Sequence, residues 1–343
     1  MEALIDPFTK DLFKQEESIE VEPIIYLIVG GSGFLGVNFS MALTFMKKSW
    51  LNIDLNGGNT SKLYQNSFVD INDSFTLLKL KHDKRQKVLI HLAAPSTHLT
   101  NLEKIRNFTA DEPLILNEDE LFLFKKIEEI LDIGVSSFVF ASTIDVYGNT
   151  LLDDLPINEK SVCAPNTGYA KTKFTLERLY REAAEKRGIP IQILRIGHIY
   201  GPLEHLYYSR LLTTLSASIS SIEKNKTNSK LVVELPLNFR RQYIYTFDII
   251  RITLMILRLE SSLIVNIVGK SIDSGILGTA YKSICGFDLE IVSRVGPDDY
   301  SSPITSLLGN INDFPRQSFA QGLACAARSR LVAEQTGLVS RIN

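Results

Sequence analysis

Tyr169 and Lys173 stand four residues apart in GYAKTKFTLE, within a pattern that predicts a helix over Tyr169–Lys186, so both side chains should emerge on one face. A phenol with an ordinary pKa near ~10 is a poor base, and an ammonium group beside it favours the phenolate. Such a pair can take the proton of an alcohol while a hydride leaves for an acceptor. A second group of candidates lies in FVFASTIDVYG, residues 138–148, which reads as the carboxyl end of a strand. If the chain stays extended there, Thr143, Asp145 and Tyr147 point to one side, because side chains alternate along a strand. Thr143 is then placed to hydrogen-bond a reacting hydroxyl, with Asp145 one step further as a second acid or base. Each signal has a plainer reading as well. The Tyr-x-x-x-Lys spacing recurs on exposed helices, and Ser142, Thr143 and Asp145 are also able to cap the turn that follows.

A hydride needs an acceptor, and the N-terminal part of the chain points to one. In IIYLIVGGSGFLG, residues 24–36, Gly30, Gly33 and Gly36 form GxxGxxG between an apolar run and an amphipathic one. Glycine there permits a tight turn, lets a pyrophosphate approach the backbone and lets the helix sit close to the strand, with phosphates at the helix N-terminus. Glycine-rich turns are common, so this motif alone is weak. Asp54 strengthens it by ending the next strand, where a carboxylate accepts bonds from ribose hydroxyls and repels a 2′-phosphate, favouring NAD over NADP. Its alternative is a turn aspartate before Asn56-Gly57-Gly58. Asp70, in VDIND, is placed either to meet the adenine amino group or to serve as a plain loop residue.

The elements that must position these residues are legible as alternating runs. Ile24–Val29, Trp50–Asp54, Val88–Leu92, Ser137–Ser142 and Ile191–Arg195 read as strands, and Phe34–Lys47, Glu118–Leu131 and Tyr169–Lys186 as helices. Near-continuous apolar strands between helices imply βαβ units and a parallel sheet covered on both faces, an α/β Rossmann-type doubly wound fold. After Gly201-Pro202 the rhythm loosens, and a polar loop, IEKNKTNSK, follows at 222–230. The expected division is an N-terminal extension at 1–22 that includes a short helix, a dinucleotide-binding domain at 23–200, and a smaller substrate-binding lobe at 201–343 with some segments returning to the first domain. Lys and Arg number 37 and Asp and Glu 39, a net formal charge of −2, which attracts no polyanion over distance and argues against a nucleic-acid partner. Cys163, Cys285 and Cys325 have no CxxC spacing, which argues against structural zinc or a disulfide framework and for a reducing compartment. No apolar stretch reaches the ~20 residues of a membrane span and the acidic N-terminus is no secretory signal, so a soluble, cytoplasmic protein without a metal is expected.

Taken in order, these blocks resemble the extended short-chain dehydrogenase/reductase family, in its nucleotide-sugar epimerase/dehydratase branch, over roughly residues 24 to 325. VGGSGFLG, HLAAPST (91–97), GVSSFVFASTIDVYG (134–148), PINEKSVCAPNTGYAKTKFTLE (156–177), ILRIGHIYGP (193–202), RRQYIYTFD (240–248) and FAQGL (319–323) carry the resemblance. It implies a tightly held NAD, with Phe34, Leu35, Ile71, Ala93 and Ala94 joining the glycines, Asp54 and Asp70 around it. It implies Thr143, Tyr169 and Lys173 as a catalytic trio, with Tyr169 and Lys173 also against the cofactor, and Asp145 at a position that carries an extra acid or base in several members. A nucleotide-diphosphate sugar would meet Ser96, Thr143, His198, Arg210 and, at its phosphates, Arg241. A homodimer is expected through the helices containing Glu118–Leu131 and Tyr169–Lys186.

Five positions depart from the family pattern. Ile144 stands where 4,6-dehydratases carry an aspartate that protonates the departing hydroxyl, which counts against that reaction because an aliphatic side chain donates no proton. Asp119 stands where an asparagine supports the site, Phe122-Leu123 replaces a small pair, and His198 replaces an asparagine before YGP. The leading expectation is an NAD-dependent nucleotide-sugar epimerase. The alternatives are a keto-sugar reductase or decarboxylase, a non-sugar alcohol dehydrogenase, or a non-catalytic NAD-binding protein.

Overall fold

Strands rich in Ile, Val and Leu, with no polar face to show to water, must be covered on both sides, and that requirement organises the molecule. The computed structural model describes every residue except 1–4, 6, 17–22, 65–66, 95–115, 149–155, 226–230, 295–303, 309–310, 312–315, 337 and 339–343. Seven described strands form one sheet: β1 (Ile24–Val29), β2 (Ser49–Asp54), β3 (Phe68–Asp70), β4 (Gln86–His91), β5 (Val135–Thr143), β6 (Ile191–Ile196) and β10 (Leu263–Ile267). Their spatial order is β3-β2-β1-β4-β5-β6-β10, and every pairing is parallel. The chain reverses its direction of winding between β1 and β4, so the crevice beyond their carboxyl ends is where such a sheet binds ligands.

Alternation along the strands sorts the core into two layers. Ile25, Leu27 and Val29 of β1, with Phe138 and Phe140 of β5, pack under α4 (Ser74–Lys81), α5 (Glu118–Leu131) and α6 (Gly168–Glu185). Tyr26 and Ile28 of β1, with Val139 of β5, pack on the other face under α2 (Phe34–Phe45) and α8 (Thr246–Leu257). The short α3 (Gly58–Leu63) follows β2. α1 (Pro7–Glu16) belongs to the second layer: Phe13 is fully buried, its ring 5.9 Å from that of Phe247 and 6.3 Å from that of Phe45. The expected short helix in the N-terminal extension is therefore a brace across α2 and α8.

Beyond β6 the elements are smaller. β7 (His198–Tyr200), β9 (Arg240–Tyr245) and β11 (Ser271–Asp273) form a three-stranded sheet in the order β11-β9-β7, and β8 (Val232–Pro236) pairs with β12 (Glu290–Arg294). α7 (Leu211–Asn225), α9 (Ser274–Cys285) and α10 (Phe319–Thr336) pack against one another. Two predicted elements, Ile24–Val29 and Glu118–Leu131, have the expected bounds, while β5 runs two residues earlier and one later than Ser137–Ser142. β4 starts at Gln86 because Lys87 is buried, its Nζ donating to Asp83 O at 2.6 Å, so a lysine that breaks the apolar pattern still sits in the sheet. Among the described residues no helix is long and apolar enough to cross a membrane and no cluster of potential ligands could hold a metal.

Candidate active site

A cleft of about 740 Å³ opens at the switch point, with the β1–α2 loop on one wall and the ends of β5 and α6 on another. The first wall is shaped by missing side chains. Gly30 has φ 84°, and a Cβ there would lie 2.5 Å from Ala93 N. At Gly36 a Cβ would lie 2.4 Å from both Gly30 O and Gly31 Cα, so only glycine lets the helix start this close to the strand. Gly33 is the N-cap of α2, and no side chain caps the helix. The first-turn N–H groups of Phe34, Leu35 and Gly36 therefore line the cleft uncapped, a ready anion cradle. The loop is tied to the segment after β2: Ser32 Oγ donates to Asn56 O at 2.5 Å and Thr60 Oγ1 to Gly31 O at 2.6 Å. Asp54 reaches the same wall, its carboxylate accepting Ser32 N at 3.1 Å and Leu55 N at 2.8 Å. Glycine loop, uncapped helix and carboxylate together fit a dinucleotide.

On the opposite wall, β5 ends in Thr143, and here the structure departs from an extended chain. Residues Ile144–Tyr147 form a 3-10 turn capped by Thr143, whose Oγ1 accepts Asp145 N at 3.2 Å. Asp145 and Ile144 line the cleft, but Tyr147 is turned inward, fully buried, with its hydroxyl donating to Asn266 Oδ1 at 2.8 Å. A turn rotates successive side chains by about a third of a circle rather than a half, which separates Tyr147 from Asp145.

Tyr169 and Lys173 project from the first turns of α6, whose N-cap Thr167 accepts Ala170 N at 3.1 Å. Lys173 is buried, donates to Ala141 O at 2.8 Å and lies 4.9 Å from the Phe140 ring centroid. Burial pulls its pKa down to about 8 against the opposing charge of Glu177. Tyr169 moves opposite to the expected shift: burial pushes its phenol up, Asp145 and Tyr208 add to the rise, and Arg210 opposes them. The Lys173 ammonium is committed to a backbone carbonyl and stands 6.0 Å from the Tyr169 ring, so the resting phenol keeps its proton.

The cleft brings together Gly30, Gly33, Phe34, Leu35, Gly36, Asp54, Ile71, Ala93, Ala94, Thr143, Asp145, Tyr169, Lys173, His198 and Arg210. Two predicted contacts are not on its wall. Asp70 is exposed at the end of β3 with Oδ1 accepting Asn72 N at 2.9 Å and Asn72 Nδ2 at 3.1 Å, and Ile71 faces the cleft instead. Arg241 sits within β9, opposite Ile272 of β11, and is not among the residues that line the cleft. Ser96 lies outside the described residues. One contributor had no signal: Tyr208, on an irregular loop, lines the cleft with its ring 3.7 Å beneath the Arg210 guanidinium and edge-on to Phe34 at 5.7 Å. Asp119, Phe122 and Leu123, the departures on α5, also reach the wall.

Residues 26–267 match the model of the NAD dependent epimerase/dehydratase family. The chain belongs to that family. Among its curated members, the dTDP-D-glucose 4,6-dehydratase of Dictyostelium discoideum is 28% identical over 229 residues, covering 59% of this chain and 51% of that protein. The UDP-glucose 4-epimerase of Vibrio cholerae is 25% identical over 214 residues, covering 60% and 62%. The chain thus aligns with about half the length of the first relative and less than two thirds of the second. A solved UDP-glucose 4-epimerase from Thermotoga maritima superposes with a TM-score of 0.69 at 21% identity, over 90% of this chain and 99% of that one. A UDP-glucuronic acid 4-epimerase from Bacillus cereus, solved with NAD, gives 0.61 at 20% over 90% and 99%. At that identity the likeness is one of fold, and the fold is that of the family.

Proposed function

We propose that this epimerase/dehydratase family member is an NAD-dependent enzyme acting on a nucleotide-diphosphate sugar, as an epimerase. The observation that carries the reading is the joint presence of Thr143, Tyr169 and Lys173 on one wall of the cleft that the glycine loop also lines. Gly30, Gly33, Gly36 and Asp54 would hold the dinucleotide, with Phe34, Leu35, Ile71, Ala93 and Ala94 around it. Bound NAD supplies a reversible hydride acceptor. Thr143 already takes one N–H with its oxygen, which leaves its own hydrogen to donate to a sugar hydroxyl. Tyr169 exchanges a proton with that hydroxyl. Its raised pKa suits returning a proton to a keto oxygen, and Asp145, whose charge reaches Tyr169, is the carboxylate placed to draw the proton off in the other direction. His198 and Arg210 are the polar groups proposed to meet the substrate.

The aliphatic side chain of Ile144 on the wall favours epimerisation over the dehydration performed by the 4,6-dehydratase relatives, since it cannot protonate a departing hydroxyl. One observation favours a second reading, a keto-sugar reductase: Tyr169 rests as a proton donor. The two-domain division near residue 200, a homodimer and a cytoplasmic location complete the proposal. Exposed Leu121, Phe122 and Phe174 on α5 and α6 support the dimer, and three cysteines that form no disulfide support a reducing compartment.

The test is mass spectrometry of small molecules released from the purified protein, then incubation with a panel of nucleotide sugars while nicotinamide absorbance is followed. Released NAD and a converted sugar without net absorbance change is the expected result. Stoichiometric consumption of added NADH would establish the reductase, and no conversion of any sugar would sink both readings.

A further inference from the structure

Two consecutive residues at the end of β5 are each held by a different side chain of α6. Lys173 Nζ donates to Ala141 O at 2.8 Å, and Ser142 Oγ donates to Glu177 Oε1 at 2.5 Å. Lys173 and Glu177 are one helical turn apart and both buried. The same carboxylate is gripped from the neighbouring strand, where Arg195 donates through Nε to Oε1 at 3.1 Å and through Nη2 to Oε2 at 2.8 Å. Ser142 and Arg195 are register partners across β5 and β6, so Glu177 bridges a cross-strand pair. Arg195 Nη1 continues to the Tyr147 hydroxyl at 3.0 Å, which donates to Asn266 on β10.

The proposed chemistry uses neither Glu177 nor Arg195. A buried ion pair adds little net stability, because the desolvation of both charges offsets their attraction. What this one does is join the element that presents Thr143 and Asp145 to the element that presents Tyr169 and Lys173. We infer that Glu177 is a positioning residue of the site: locked by Arg195, it sets α6 against the end of β5 and holds Lys173 in its ammonium form. The inference rests on reading Tyr169 and Lys173 as the proton-handling pair.

The groups around Lys173 make the sign of the effect definite. Its own helix presents Tyr169 and Glu177, β5 presents the Phe140 ring and the Ala141 carbonyl, β4 presents His91, and β6 presents Arg195 paired to Glu177. His91 is buried beside the Tyr180 hydroxyl and neutral, its pKa pushed well down by burial and by Lys173. Glu177 supplies the charge that opposes the burial of Lys173. Without it the ammonium should be lost at lower pH.

The experiment is an NMR titration of Lys173 in lysine-labelled protein, with the resonance assigned by Lys173→Arg, in wild type, Glu177→Gln and Glu177→Gln/Arg195→Gln. The double variant keeps the test open should the single one, with Arg195 left unpaired, fail to fold. The expected midpoint is about 8 in wild type, falling by about one unit or more in both variants. Unchanged midpoints would overturn the inference. The titration needs neither sugar nor dinucleotide, so that result would leave the proposed activity standing. A lowered midpoint in a protein that converts no sugar would keep Glu177 in its role and remove the activity.

Discussion

The wall built from Gly30–Gly36 and the wall built from β5 and α6 face one cleft, yet the first offers backbone and the second offers buried charge. On the first, polarity comes from uncapped N–H groups at the start of α2, and Gly36 has Gly30 O within 2.4 Å of where a methyl would go. The backbone part of that wall carries no titrating group and is intolerant of added atoms. On the second, Lys173, Glu177 and Arg195 are all buried, with the pKa of Lys173 displaced to about 8. That site tolerates changes of shape that keep volume and fails when a charge is altered. The difference teaches that one ligand cleft can be made selective by omission on one side and by desolvation on the other.

The largest expected effect tests the charged wall. Lys173→Met keeps the volume and removes the ammonium, and turnover should fall by about 10²- to 10⁴-fold. Stability at pH 7 should stay within about 1 kcal/mol of wild type, because relief of a pKa drop worth about 3 kcal/mol offsets the lost bond to Ala141 O. Turnover and thermal denaturation of the same preparation check both halves. A collapse in stability would show that the ammonium is structural and would break the comparison. Next comes Phe13→Ala, which empties a fully buried site between Phe45 and Phe247 and should cost about 3 to 4 kcal/mol of stability, read by urea denaturation. Because Phe13 braces α2 from behind and touches neither wall, turnover per folded molecule should be unchanged. Gly36→Ala should show the inverse of Lys173→Met: one methyl against Gly30 O costs about 2 kcal/mol, and calorimetry should find NAD binding weakened by more than tenfold while Lys173 titrates as in wild type.

The two walls were also unequally legible from the residues alone. The glycine wall could be read because its cause is local: GxxGxxG, weak alone, follows an apolar strand and is joined by Asp54 at the end of the next one, and β1 has its expected bounds. The Tyr169/Lys173 pair could be read from helical spacing, but the direction of the Tyr169 shift could not, since burial and the approach of Asp145, Tyr208 and Arg210 are products of tertiary packing. Tyr147 was misdirected because nothing in FVFASTIDVYG distinguishes an extended continuation from a 3-10 turn. The surroundings of Asp70 and Arg241 are likewise products of the fold, one turned to Asn72 at the end of β3 and the other held within β9. Tyr208 lies between Glu204–Leu206 and α7 on a loop without periodicity, so only the fold brings it beside Phe34.

Glu204 asks whether the rule of the charged wall extends beyond it. It sits in the 3-10 turn after β7, buried, and burial pushes its pKa up to about 7 against the pull of Arg210 and a bond from Gly201. Between its ordinary 4.5 and about 7 the native protein binds this proton more readily than the unfolded chain, so the contribution of Glu204 to stability falls as pH rises through that window. Above it the carboxylate is a burden of at most about 3 kcal/mol. Glu204→Gln removes the titration, loses part of the hydrogen bonding, and should therefore be more stable than wild type by about 1 kcal/mol at pH 8, with the gap closing toward pH 4.5. His205 titrates the other way, being held neutral down to about 4, but it is present in both proteins and cancels in their difference. Melting temperatures of the two proteins across this range give that difference directly. Parallel curves would mean that the loop opens enough to hydrate Glu204, confining the cost of desolvated charge to Lys173 and its clamp. Converging curves would mean that the loop carrying Tyr208 and Arg210 is held as dry as the wall it faces.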